Sequence, residues 1–463
     1  MRKKRVIKVG GSVLKNSKDF EKVLKIIEQY GKSSIVVVSA LSGITDLLFE
    51  LGEKSKKDKE TIEKYLKKIT EIHLKIYRDL ISGNEAENFA LKLHKRAEEL
   101  YKKLLAAYYL EEIPPSLLDT IISFGEKFSS LLFTESLKAK GVSTEEKLPE
   151  NIGLKTDGVF GDASVKLEES QYSVRKALSN NTIYIIPGFY GISLEGKISV
   201  LGRGGSDYSA AAIANCVEAK SLDVWKDVNG FMSADPKTIK DAREIKRLSY
   251  DEAAELTYFG AKILHPRTFE PVSAKNIPVR IFHIDSSSGP ENPATIIDNG
   301  KKISSKVIKS ISSTNGMGIL RLWGAGVGIK PGIMAQVTSV LNMEKINIKS
   351  IITSQTLINL LLSKEDLERS FQLLKKMPLP AVEKIEKKEK IAVIAVVGEG
   401  IVVKHGVAAR IFNALAKEKI NIEIISLGVS PVATYFIVEE GERDKALISI
   451  NKEFFNENNQ RNQ

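Results

Sequence analysis

Two spacings of apolar residues alternate along the chain. Short apolar runs occur at Val6 to Val9, Ile35 to Val38, Ile183 to Ile186, Ser221 to Trp225 and Val279 to Ile284. Such runs, β-branched and bounded by turn residues, predict buried strands. Between them, apolar residues recur every third or fourth place, which predicts helices. Ser17 is placed to cap a helix running to about Tyr30, with Gly31 as its stop. From about Asp46 to Leu110 the chain reads as helical, with Ile62, Tyr65, Leu66, Ile69, Ile72, Leu74 and Ile76 toward a core and dense Lys and Glu facing away. Buried strands separated by helices predict an α/β domain over residues 1–300, three layers deep (αβα), with a mainly parallel central sheet.

The pattern changes near Lys301 to Lys306, after the loop-forming runs Ser286 to Pro290 and Asn292-Pro293. A weak internal repeat follows. Gly318 to Trp323 predicts a strand, Pro331 to Glu344 a helix, Ile348 to Thr353 and Leu357 to Leu362 two strands, and Glu365 to Lys376 a helix. Ile391 to Val397, Val407 to Lys419, Ile422 to Leu427, Ala433 to Val438 and Glu442 to Asn451 repeat that order, and Glu344 to Ile348 reads the same as Glu418 to Ile422. Each copy predicts a ferredoxin-like βαββαβ unit, at 314–388 and 389–463. The first can close with a strand at Ala381 to Ile385. The second ends in a polar tail, Phe454 to Gln463, which cannot supply one. The apolar stretch within 306–313 is therefore expected to complete the second unit, so that the first is inserted inside it.

Composition narrows the reading. The 463 residues are 43% hydrophobic and 27% charged, an ordinary globular balance. One cysteine, Cys216, excludes a disulfide scaffold and fits a reducing, cytoplasmic setting. Apolar runs fall far short of the ~20 residues a bilayer span needs, so no membrane association is expected. The basic start, Met1 to Arg5, is followed by Lys8, Gly10 and Gly11, which does not read as a signal peptide. The net charge of +11 comes from lysines spread through the chain and mixed with glutamates. It reads as a solvated surface, and no nucleic-acid partner is expected.

Six motifs carry candidate chemistry. Lys8-Val9-Gly10-Gly11-Ser12 follows the first strand, where glycines admit a phosphate to the backbone and lysine supplies charge; a tight turn would explain the glycines equally well. Ser39 to Thr45 ends the second strand with hydroxyls and Gly43, at the carboxyl end of a sheet where ligands bind; a plain loop with Thr45 as helix cap is the alternative. Ser123-Phe124-Gly125-Glu126 puts an acid in apolar surroundings, eased by an ammonium partner unless it is exposed. Gly202-Arg203-Gly204-Gly205-Ser206-Asp207 joins a guanidinium to a helix start, an anion site by construction. Trp225 to Lys237, containing Lys226, Asp227, Met232 and Lys237, could be any hairpin by pattern alone. Phe259 to Pro266 follows a Ser249/Glu252 capping box and leaves Lys262 on a turn that Gly260 can open. His265 reads as a packed residue, and the five histidines show no metal spacing. Gly324 to Gly328 looks like a dinucleotide loop, but its third glycine comes one place too early.

In this order the six motifs resemble those of the aspartate kinases, members of the amino acid kinase family with C-terminal ACT domains. The resemblance covers nearly the whole chain and is strongest at Lys8 to Ser12, Gly202 to Asp207 and Phe259 to Thr268. No dehydrogenase-like region follows, so the monofunctional rather than the bifunctional form is expected. The resemblance implies the amino-acid kinase fold followed by two ACT domains. It implies transfer of phosphate from ATP to the β-carboxylate of L-aspartate, giving 4-phospho-L-aspartate, the first step toward lysine, threonine and methionine. Catalytic roles then fall to Lys8, Asp207 and Lys262. Substrate contacts fall to Ser39, Thr45, Glu126, Arg203, Gly204 and Ser206. ATP contacts fall to Lys8, Gly10, Gly11, Ser12, Lys226, Asp227, Met232, Lys237 and Lys262, with Mg2+ arriving on the ATP and no metal held by the protein itself. The family usually carries threonine, tyrosine and arginine where Lys226, Met232 and Lys237 stand. The alternatives are another carboxylate kinase of the family and a catalytically dead amino-acid sensor.

ACT units imply control by an amino acid, lysine or threonine, and a homodimer or homotetramer assembled through them. The joint between the helix start at Gly332, Ile333 and Met334 and the strand end at Ser354 and Gln355 is the expected effector site. The neutral Gln355 favours threonine.

Overall fold

The computed structural model describes residues 3–261, 263–286, 289–300 and 307–455. They form two compact units: Met1–Phe231 with Glu244–Thr257 and Lys262–Lys301, and Met232–Arg243 with Tyr258–Ala261 and Lys302–Gln463. The short segments 232–243 and 258–261, read from sequence as part of the first domain, thus cluster with the C-terminal unit.

The strands of the first unit are β1 Arg5–Val9, β2 Ser34–Val38, β3 Thr144–Glu146, β4 Ile183–Pro187, β5 Tyr190–Ile192, β6 Ile198–Val200, β7 Ser221–Lys226, β8 Arg247–Ser249, β9 Val279–His283 and β10 Thr295–Asp298. The helices along this part of the chain are α1 Ser17–Tyr30, α2 Ile44–Ser55, α3 Lys59–Leu80, α4 Asn84–Leu110, α5 Pro115–Ala139, α6 Pro149–Ile152, α7 Leu167–Ala177, α8 Gly205–Cys216, α9 Tyr250–Tyr258 and α10 Phe269–Ser273. The main sheet runs β3-β4-β2-β1-β7-β9-β10-β8, while β5 and β6 make a separate hairpin. Neighbours in the main sheet are parallel except β9 and β10. All of β2 and β4 is buried, as expected of strands covered on both faces.

Local chemistry sets the helix limits. The cap of α1 is Asn16, whose side chain accepts from the Asp19 N–H, and not Ser17, whose hydroxyl donates to Asp79. The long helical stretch breaks twice. Asp58 starts α3 by accepting from the Glu60 N–H, and Gly83, at φ 76°, precedes α4. Ser249 and Glu252 make the expected capping box: the Ser249 N–H donates to Glu252 Oε2 at 2.8 Å and the Glu252 N–H to Ser249 Oγ at 3.2 Å. Every residue of α5 from Ile121 to Leu137 except Glu135 is buried, the charged Glu126 and Lys127 included, so the helix runs through the core rather than over it.

The second unit continues with β11 Ser310–Thr314, β12 Met317–Trp323, α11 Ile333–Met343, β13 Ile348–Thr353, β14 Leu357–Ser363, α12 Lys364–Lys375, β15 Lys384–Lys388, β16 Ile391–Val397, α13 Val407–Lys417, β17 Ile424–Ser426, β18 Ala433–Glu439 and α14 Arg443–Phe455. Its two four-stranded sheets run β13-β14-β12-β15 and β11-β16-β18-β17. The second sheet takes its edge strand from the chain before the first sheet begins, with Ser310 opposite Val397 and Thr314 opposite Val393. The closing strand of the first sheet lies three residues later than Ala381 would start it. Ala381 and Val382 instead form a turn against that core, and the strand is the charged edge Lys384–Lys388 with Ile385 facing in. Ala234 and Ile239 complete the core under the second sheet, which explains why 232–243 belongs here. Between the two sheets lie Phe259, Met317, Ile319, Leu361, Val393, Tyr435 and Ile437, so each sheet covers the other's open face.

Candidate active site

Ala40, just past the end of β2, is where three of the motifs meet. A Cβ on Gly11 would stand 2.9 Å from the Ala40 carbonyl oxygen, and one on Gly125 2.9 Å from the Ala40 Cβ. Both glycines are therefore required by close packing rather than by unusual backbone angles. The approach of α5 lets Glu126 Oε1 accept from the Ala40 N–H at 3.1 Å. Glu126 is 3% exposed, and its Oε2 has no hydrogen-bond partner among the described residues. Burial pushes its carboxyl up to about 8, against the Ala40 N–H and the charge of Lys8, which pull it down.

Two neighbouring parallel strands, β1 and β7, each bring a lysine to this end of the sheet. Lys8, 4% exposed, places Nζ 2.5 Å from Asp207 Oδ1, an ion pair without good hydrogen-bond angles. Lys226 Nζ lies 3.4 Å from Asp207 Oδ2. Burial alone would raise the Asp207 carboxyl, but Lys8 and Lys226 outweigh it and hold it below the usual range. Burial lowers the Lys8 ammonium, and Lys226 adds to that, while Asp207 and Glu126 oppose it. Asp207 stands in the first turn of α8, after Gly204 at φ 73°. A Cβ on Gly204 would overlap His265, so His265 is a packing residue at this turn. Arg203 is exposed and makes no ion pair among the described residues. Ser206 and Ser39 are half-buried. Thr45 is half-buried in the first turn of α2, whose cap is Gly43 at φ 81°. Ser12 Oγ donates to Asp227 Oδ1 at 2.9 Å, tying the glycine turn to the end of β7. Gly10 lies beside Lys8, since a Cβ there would stand 3.2 Å from Nζ.

Lys262 lies outside the described residues. Met232 and Lys237 belong to the second unit, where the Met232 carbonyl accepts from Ser310 Oγ at 2.8 Å. Also in that unit, Gly332 precedes α11 at φ 90°, followed by Ile333, which is buried, and Met334. Ser354 and Gln355 are exposed past the end of β13. The loop before α11 is laid onto them, with the Gly328 N–H donating to the Gln355 carbonyl at 3.2 Å. Cβ atoms on Gly324 and Gly328 would overlap the Ala381 and Ser354 carbonyls, so this glycine run serves backbone packing.

Sequence reasoning missed the frame that holds the Arg203 loop. Arg267 Nη1 donates to Asp162 Oδ1 at 2.7 Å and to the Leu201 carbonyl at 3.2 Å, and Nη2 to the Ala163 carbonyl at 2.8 Å. Its guanidinium also covers the Tyr208 ring, 4.6 Å from the centroid. Asp119 Oδ2 accepts from the Gly161 and Val200 N–H groups at 3.0 and 2.9 Å. Arg267 follows a quoted motif, so its position was visible; Asp119 carried no signal.

Among the described residues no three His, Cys, Asp or Glu side chains converge as a metal site, and no helix is long and apolar enough to cross a membrane. Residues 3–283 match the amino acid kinase family, and residues 312–376 and 394–454 match ACT domains. The chain belongs to the amino acid kinase family. Its similarity within that family runs to the aspartokinases. Aspartokinase 1 of Arabidopsis thaliana chloroplasts is 30% identical over 97% of this chain and 80% of that protein. The bifunctional aspartokinase/homoserine dehydrogenase of Haemophilus influenzae is 31% identical over 98% of this chain but 56% of its own length. The chain thus spans little more than half the length of the bifunctional relatives it matches. Crystal structures of E. coli aspartokinase III with aspartate and ADP, and with lysine and aspartate, superpose with TM-scores of 0.80 and 0.81 at 27% and 26% identity, covering 98% of this chain and 100% of theirs. The kinase-family resemblance of the six motifs and the expected fold class are thereby borne out.

The Arg267 fork meets two carbonyls and a carboxylate at once, which an ammonium cannot copy. Arg267→Lys is expected to cost about 1–3 kcal/mol and to lower the melting temperature by several degrees, measured by calorimetry. An unchanged melt would show that the fork does not clamp these loops.

Proposed function

We propose that this chain is an aspartate kinase, transferring the γ-phosphoryl group of ATP to the β-carboxylate of L-aspartate. The observation that carries the reading is Glu126. A buried carboxylate oxygen without a partner, held beside the Lys8–Asp207–Lys226 cluster, is suited to the α-ammonium of a free amino acid. Arg203, exposed and without an ion pair among the described residues, is suited to its α-carboxylate, with Ser39 and Thr45 adding hydrogen bonds. Aspartate and ADP in the E. coli relative support the same substrates.

The chemistry asks little of acid–base groups. An aspartate side chain, with a pKa near ~3.9, is ionised at neutral pH and is already the nucleophile. What must be overcome is repulsion between carboxylate and polyphosphate, together with the entropy of in-line alignment. Lys8, beside Gly10 and Gly11, is assigned to the moving phosphoryl group. Lys226 and Lys262 are assigned to the other phosphate oxygens, and Ser12 and Asp227 border the nucleotide. Asp207 holds Lys8 and Lys226 in place when no phosphate is bound. Both its oxygens face lysines, so these residues do not make a magnesium cage. Magnesium would come with ATP, held by phosphate oxygens and adding charge neutralisation.

The ACT units support control by a free amino acid, as a regulated first step toward the aspartate-derived amino acids. The helix start at Gly332 and the strand end at Gln355, joined through Gly328, are suited to its carboxylate and ammonium. Ile329, Met343 and Val403 are exposed in this unit, which supports assembly of at least a dimer there.

A coupled ADP-release assay with aspartate, glutamate and N-acetylglutamate tests the reading: turnover with aspartate is expected, preference for another acceptor would redirect it within the family, and no turnover at all would favour the sensor. Glu126 sets a pH dependence. Its free carboxyl titrates at about 8, and a bound ammonium favours the ionised form, so binding releases a proton below that pH. The KM for aspartate should therefore fall as pH rises from 7 to 9, by roughly tenfold, and level off above. Glu126→Gln should raise that KM and flatten the slope; a slope that survives in the variant would assign the proton elsewhere. Inhibition by millimolar threonine or lysine, typically worth about 1–3 kcal/mol of coupling, should be blunted by Gln355→Ala with uninhibited turnover intact. Inhibition unchanged in that variant would move the effector to the corresponding joint near Val403 to Val407.

A further inference from the structure

The ends of β1, β2 and β4 opposite the Asp207 cluster open onto a groove of about 950 Å³. Five cations line it: Lys3 and Lys4 before β1, Lys32 before β2, and Arg175 and Lys176 on α7. Lysine elsewhere on this chain is commonly paired with glutamate or aspartate, but Lys3, Lys32 and Lys176 have no carboxylate partner among the described residues. The single acid on the groove, Glu218, is already shared by Arg175 at 2.9 Å and Lys275 at 3.5 Å. Like charges gathered without counter-charge raise the local potential and concentrate anions.

The groove is also shaped. Ser33 and Glu218, both on its wall, hold left-handed backbone at φ 78° and 48°, conformations that cost free energy for residues with a side chain. Hydrogen bonds fix the surrounding loops: Ser33 Oγ to Asn181 Oδ1 at 2.5 Å, Lys4 Nζ to the Asn180 carbonyl at 2.6 Å, and the Asn180 N–H to the Tyr184 hydroxyl at 3.1 Å. Leu178, Val217 and Tyr172, a residue 76% exposed, also line it. The volume falls in the range of small-molecule sites.

We propose that this groove binds a polyphosphate anion at a site separate from the catalytic one. Its strands are five residues long, so roughly 15 Å of sheet divides it from the Lys8 end. Two sources share the chemistry: a nucleoside triphosphate, whose base would stack on Tyr172, and inorganic polyphosphate.

Equilibrium dialysis of labelled ATP on the full chain should find two sites per chain. Lys32→Glu combined with Lys176→Glu, two exposed and unpaired positions, should weaken one of them by roughly ten- to a hundredfold while leaving aspartate-dependent turnover unchanged. Tripolyphosphate should displace ATP from that site. Weakening of ATP but not of tripolyphosphate by Tyr172→Ala identifies a nucleotide site; equal binding of both, unaffected by Tyr172→Ala, identifies an inorganic polyphosphate site. One ATP per chain in the wild type, or two in both proteins with tripolyphosphate binding untouched by the charge reversals, overturns the proposal.

Discussion

The Asp207 carboxylate between Lys8 and Lys226 is the interaction around which the candidate-site end of the sheet is arranged. Burying ions costs several kcal/mol each, and only close pairing offsets it. The pairing here requires β1 and β7 to be neighbours, α8 to begin where Gly204 turns the chain, and α8 to deliver Asp207 in its first turn. Removing the acid would leave two ammonium groups facing each other out of water. The cluster is therefore stable only as a whole, and it keeps two ammonium groups close together largely out of water.

Glu126 is buried to a similar degree as Asp207 and behaves in the opposite way. Two lysines pull Asp207 below the ordinary carboxylate range, whereas burial carries Glu126 to about 8. The difference lies in partners. Each Asp207 oxygen faces a lysine ammonium, whereas Glu126 Oε2 has neither an ion pair nor a hydrogen bond among the described residues. A group satisfied internally serves structure before a ligand arrives. A group left short is completed by one, which is why the two acids take different parts in the proposed reaction.

In the second unit the governing constraint is an unclosed sheet. The repeat that begins at Ile391 lacks a final strand of its own, and β11, from before the first repeat, fills that edge. The first repeat is consequently held between two pieces of the second. The faces that their helices leave open are buried against each other, and Arg321 reaches Glu423 across them at 3.0 Å. A displacement of one sheet would therefore act directly on the other.

Several features were legible in the sequence because they depend on local pattern. The buried strands β1, β2, β4, β7 and β9 stand within a residue or so of their apolar runs, since burial on both faces leaves few polar positions, Lys8, Asp223 and Arg280 among them, to blur them. The Ser249/Glu252 capping box and the repeated helices were fixed by neighbours a few residues apart. Lys8, Glu126 and Asp207 stood out as charges beside glycines in apolar settings. Other features needed the fold. That Gly11 and Gly125 both make room for Ala40, that Lys226 shares Asp207 with Lys8, and that Arg267 clamps the Ala163 and Leu201 carbonyls are contacts between residues far apart in the chain. So is the grouping of 232–243 with the C-terminal unit, where Ala234 and Ile239 find a core that their own neighbours do not provide. Local sequence sets which residues want burial or charge; only tertiary packing decides which partner meets them.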